Sequence, residues 1–284
     1  MDREIIMAPY QEDGHNRQTL YETFWSMAEF HDTAKEGANS YDVRSELSDA
    51  EHFIRFGWDE HLPRALGIAE GAVSAATEVR ELEAFAPVFD VAGDMVDMGR
   101  YLGNDPECMV SNPMRQTVAS GRVVTLVSMA DSNGGGDWLT RGILATALGL
   151  ALDRLGYASE MWADNFGRST VNQYQRILVK STADEIDPAR LMFAFGHKAM
   201  LRGLAFGTFD GYRTLGPDYE KWFYSYGKPL HRGSATSRTT FFEGLYPPGT
   251  VFITGELDAP TPEGMARAVV SGLRGLGILP EVNE

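Results

Sequence analysis

An unbroken apolar run at Val123-Val124-Thr125-Leu126-Val127-Ser128-Met129-Ala130 limits what this chain can fold into more than any other feature. A strand of that composition has no solvent face, so it belongs inside a sheet covered on both sides. A polar, glycine-rich stretch follows at 131–137. A helical segment then runs over 138–155, and Gly156 closes it at the C′ position. Further strands are predicted at 158–163 and 174–181. Asp187 and Pro188 start a helix reaching residue 195, and another helical segment spans 197–204. A Pro-Pro-Gly turn precedes a last strand at 250–255. Thr261 or Pro262 opens a final helix carrying Met265, Val269 and Leu273. This alternation predicts an α/β fold, with a doubly wound, mostly parallel, Rossmann-like sheet over 115–284.

The front of the chain reads differently. Residues 1–20 are polar and are expected to form a flexible arm. From Thr19 onward Leu20, Phe24, Met27 and Phe30 recur at helical spacing, and 29–40 reads as a loop. Ser48 and Glu51 match a capping box that would open a helix carrying Phe53 and Phe56. An Ala-rich helix over 62–85 ends before Pro87. Residues 21–114 are thus expected to be a helical module, with a short strand at 88–93.

Charge and cysteine content remove several function classes. The formal charge of −15, with no run of basic residues, opposes general binding to nucleic acid or to an anionic membrane. The single cysteine, Cys108, allows neither an internal disulfide nor a thiolate zinc site, and the acidic residues beside it oppose thiolate formation. No apolar stretch has signal-peptide or transmembrane length. A cytoplasmic protein is expected, inside the host cell if the chain is phage-encoded.

The main candidate for chemistry is the ligand-edge loop Asp131, Ser132, Asn133 and Gly135, at the carboxyl end of the first sheet strand, where open α/β sheets collect ligands. Asp131 is a candidate ligand for a hard cation such as Mg²⁺. The competing readings are a phosphate-cradling loop, which lacks the accompanying lysine, and a connection that simply needs glycine. Asp90, Asp94 and Asp97 form a second carboxylate group, readable as a metal cluster or as caps at a helix start. Tyr219, Trp222, Tyr224 and Tyr226 mark an aromatic-rich candidate interaction surface. His197 has no visible nucleophile partner, and 231–238 is a short basic and hydroxyl-rich segment suited to an anion contact.

The strand ending at Ala130-Asp131-Ser132-Asn133-Gly134-Gly135, the long helix after it and the strand around Glu160-Met161-Trp162 resemble a von Willebrand factor A (vWA) type domain. The resemblance implies a metal motif of Asp131 followed by hydroxyls two and four residues on. Those positions hold Asn133 and Gly135, so the implied site is degenerate. Across nearly the whole chain, Phe56-Gly57-Trp58, Asp90-Val91-Ala92-Gly93, residues 96–102 with 105–109, and 197–202 resemble an uncharacterised family encoded by actinobacterial phages and related mobile elements. Together these imply a non-enzymatic, protein-binding or adaptor role with another protein as partner. The alternatives are a Mg-dependent enzyme acting on a phosphorylated small molecule or nucleotide, in which Asp90, Asp94, Asp97 and Asp131 converge, and an oligomeric virion or assembly component.

Overall fold

The computed structural model describes residues 4–12, 15–38, 41–84, 88–92, 95–111, 123–129, 137–168, 171–212, 225–226, 246–247, 249–253 and 261–279. The chain opens with strands β1 (Glu4–Glu12) and β2 (His15–Phe24) and helices α1 (Met27–Gly37), α2 (Tyr41–Phe56) and α3 (Leu62–Ala84). A small unit follows: β3 (Val88–Asp90), β4 (Met95–Val96), α4 (Met98–Leu102) and β5 (Met109–Ser111). Next come β6 (Val123–Met129), α5 (Asp137–Arg154), β7 (Ala158–Arg168), β8 (Val171–Lys180) and α6 (Pro188–Gly196). A π-helical turn at Met200–Ala205 leads into α7 (Phe206–Tyr212), followed by β9 (Ser225–Tyr226), β10 (Val251–Ile253) and α8 (Pro262–Gly275).

The fold is α/β, as expected. Its main sheet runs β1-β2-β8-β7-β6-β10, with β9 added against β7. Pairing is parallel at β2/β8, β6/β7 and β6/β10, and antiparallel at β1/β2, β7/β8 and β7/β9. The apolar run becomes β6 over Val123–Met129, flanked by β7 and β10, and Val124, Leu126 and Val127 are buried. Alternation divides its side chains between the two faces. Leu20, Phe24, Leu126, Ala163 and Ile177 join one core, while Tyr21, Val127, Trp162, Phe166 and Tyr174 join another. Helices α1–α3 and α5–α8 bury side chains in the first core. The front helices therefore share the sheet's core and have none of their own.

Four expectations for the front of the chain are corrected. The arm expected at 1–20 and the helix expected from Thr19 are strands β1 and β2, which extend the main sheet. Leu20 and Phe24, four apart, satisfy the two-residue period as well as the helical one. Charged Glu22 between them hides the alternation. The loop expected at 29–40 is mostly helix α1. Ser26 accepts the Glu29 N–H (3.1 Å) and Glu29 accepts the Trp25 N–H (2.9 Å), a reciprocal capping arrangement. Ser48 starts no helix. It lies inside α2, whose Val43, Leu47 and Ala50 carry one buried face past it.

Elsewhere the local signals work. Asp187 caps α6 through the Arg190 N–H (3.1 Å), with Pro188 in its first turn, and Thr261 caps α8 through the Gly264 N–H (3.1 Å). Gly156 adopts φ +79° at the end of α5. Helices α5 and α6 cross at Gly142 and Gly196, where a Cβ on Gly142 would lie 2.2 Å from the Gly196 Cα. Only paired glycines permit that approach.

Candidate functional site

Strand β6 leaves the sheet at the rung where Met129 faces Asp164 of β7, and α5 begins at Asp137. The loop between them, with Asp131, Ser132, Asn133 and Gly135, lies outside the described residues. At this edge of the sheet, both faces carry buried polar groups that local sequence patterns did not single out.

On the face opposite the helices, Asp164 is fully buried and accepts hydrogen bonds from two phenols. Tyr174 donates to it from β8. The Tyr246 hydroxyl lies 2.6 and 2.7 Å from its two oxygens. The Arg176 guanidinium lies over the rings of Tyr246 (4.1 Å) and Trp162 (4.7 Å), and the Trp162 indole N–H donates to Glu160 (2.7 Å). Burial pushes the Asp164 carboxyl up to about 6, against the opposing pull of the two phenols and Arg176. Both phenols are held well above their usual range, first by burial and then by the adjacent Asp164. This arrangement ties Tyr246, distant in sequence, to the middle of the sheet.

On the helix face a buried row crosses three strands, with Glu22 opposite Gln175 and Gln175 opposite Asn165. The Asn165 amide donates to the Gln175 carbonyl at 3.5 Å. Burial, aided by Glu29, pushes the Glu22 carboxyl up to about 8. At neutral pH Glu22 is therefore mostly protonated.

The second predicted cluster lies in the small sheet β3-β5-β4. Asp90 accepts the Val91 N–H (2.6 Å), and Asp97 caps α4 through the Arg100 N–H (2.9 Å), the capping alternative offered by the sequence. Asp94 lies outside the described residues. Among the described residues no group of three or more His, Cys, Asp or Glu converges as a metal site would require. Tyr219, Trp222 and Tyr224 also lie outside them, and Tyr226 belongs to β9, paired with Gly167. The His197 ring packs between Phe53 (4.5 Å) and Trp58 (4.7 Å) and accepts the Ala199 N–H (3.1 Å). Burial lowers its pKa.

The small unit has a second property. Helix α4 buries none of its side chains, and both residues of β4 are exposed. Val91, Met95, Val96, Met98, Tyr101 and Leu102 are between 45% and 78% exposed. They are six of the nine large apolar side chains exposed among the described residues, gathered within twelve positions. Arg100 is the unit's only basic residue. It stacks on Phe89 (3.7 Å) and pairs with Asp105 (3.2 Å). The sequence signal was present in the alternation of apolar and acidic residues over 90–102, but it reads equally well as a half-buried element.

A family model described as a domain of unknown function (DUF7192) matches residues 9–252. This chain belongs to the DUF7192 family. The matched span runs from β1 into β10, so the DUF7192 region takes in the sheet, the helices on it as far as α7, and the small exposed unit. No curated protein and no solved structure matches the chain. No described helix is long and apolar enough to cross a membrane.

Proposed function

We propose that this DUF7192 protein is a non-enzymatic binding or adaptor protein that docks another protein on the unit formed by β3, β4, α4 and β5. The observation that carries this reading is the concentration of exposed apolar side chains at 91–102. Clustered exposed apolar residues are a mark of interaction sites, whereas single exposed apolar residues need no explanation. Asp164 is enclosed and held by two phenols, which suits it to tying the fold together.

A vWA-like core draws support from the β6-α5-β7 unit, whose strands are parallel and between whose first strand and helix Asp131 falls in sequence. A phage origin rests on the motif resemblance alone. Carbene footprinting of the purified protein tests the docking surface. Met98 and Leu102 are expected to label strongly in the isolated protein and to be protected when its partner is bound. Protection of both in the isolated monomer would refute the reading. Native mass spectrometry with and without Mg²⁺, on the natural protein and on Asp131→Ala, tests the cation site separately.

A further inference from the structure

Resting on that reading, we infer that the exposed unit receives an apolar segment flanked by lysine or arginine from a different protein, and not a second copy of itself. The apolar face supplies affinity, and the charge around it selects the occupant. Residues 88–111 contain Asp90, Asp94, Asp97, Asp105 and Glu107 against Arg100 alone. That one guanidinium is already held by Asp105 and stacked on Phe89. Asp90 and Glu107 are exposed, and Asp97 and Asp105 are half-buried. Six exposed apolar side chains therefore share one short segment with a clear excess of acidic residues.

A two-fold pairing would set these acidic residues against identical ones, with the segment's one guanidinium already engaged by Asp105. Like-charge juxtaposition of that kind suppresses the wrong partner. An anionic membrane surface is repelled for the same reason, and so is nucleic acid. A segment with an apolar stripe and basic flanks meets both halves of the surface. The chain's overall charge of −15 adds steering toward such a partner at low salt.

The test uses the full chain and three synthetic 18-residue helical peptides with one shared leucine stripe and lysine, glutamine or glutamate on the polar face. Binding is read by fluorescence anisotropy at low and moderate salt. The lysine peptide should bind tightest, weakening as salt rises, and Met98→Asp with Leu102→Asp should weaken it at least about ten-fold. Asp90→Asn and Glu107→Gln should each weaken it about two- to five-fold, the scale of an exposed ion pair. Phe56→Asp, at an exposed apolar residue on α2, should leave it unchanged. Equal binding of the lysine and glutamine peptides, still lost in Met98→Asp/Leu102→Asp, would overturn the charge selection while the docking surface stands. Lysine-peptide binding that ignores both patch substitutions would overturn the docking surface as well. A dimer in light scattering that Leu102→Asp dissolves would show a second copy as occupant and refute the inference.

Discussion

Replacing Glu22 with glutamine should make the protein more stable, increasingly so at higher pH. Glu22 is 1% exposed on β2, in the row with Gln175 and Asn165, and its carboxyl is raised from 4.5 to about 8. Because the folded pKa lies above the unfolded one, the folded chain holds a proton that the unfolded chain releases across this interval. Below about 4.5 both states are protonated and the residue costs nothing. As pH rises, stability falls by about 1.4 kcal/mol per unit until the folded carboxyl also ionises near 8. The accumulated cost is about 3 kcal/mol at pH 7 and approaches about 5 kcal/mol above pH 8. Asp164, raised to about 6, behaves with the same sign, but its contribution is nearly complete by pH 6.5. The interval from pH 6.5 to 8.5 therefore isolates Glu22. There the natural protein should lose about 2 kcal/mol more than Glu22→Gln in urea unfolding at matched salt. Other titrating groups cancel in the difference between the two proteins. Superimposable pH profiles would refute the reasoning, because they would mean that Glu22 is solvated or charge-paired in the folded chain.

The same structure makes further predictions. Tyr246→Phe removes one of the two phenol donors to Asp164, and should cost about 1–3 kcal/mol at pH 7.5 in thermal or urea unfolding. The loss should shrink at pH 4, where the carboxyl is protonated. Gly142→Ala drives a methyl into the Gly196 backbone and should cost at least about 1–3 kcal/mol. Gly67→Ala and Gly71→Ala have open space in the middle of α3, and each should add about 0.5–1 kcal/mol. Leu102→Asp, at a residue 78% exposed, should change stability by less than about 0.5 kcal/mol, so that any loss of binding is not a folding defect.

Local chemistry made much of the fold legible. Strand β6, helix α5 with its Gly156 terminus, the Asp187 and Thr261 caps and strand β10 all follow from short-range signals: apolar run length, side-chain capping and glycine torsion. The failures share a cause. At 15–24 the apolar spacing fits two periods, and Leu20 and Phe24 turn toward a core only once β8 lies beside them; at 26–37 only Phe30, Ala34 and Gly37 are buried in α1, too few to show a period. For the candidate site, Asp97 as a cap was readable because its partner is three residues away. The Asp164 clamp was not. It joins β7, β8 and a residue 82 positions distant, and nothing within a window of ten residues around Asp164 announces it.

By itself, then, the sequence determined the α/β class, the ends of α3, α5, α6 and α8 and the acidic character of the chain, because those depend on composition and on neighbours a few residues apart. Tertiary structure alone decided that the amino terminus adds strands to the sheet, that Glu22 and Asp164 are buried with raised pKa values, and that residues 91–102 stay exposed. Each of these depends on which distant surface covers a side chain, and the exclusion of water that sets burial and charge state is a property of the assembled layers.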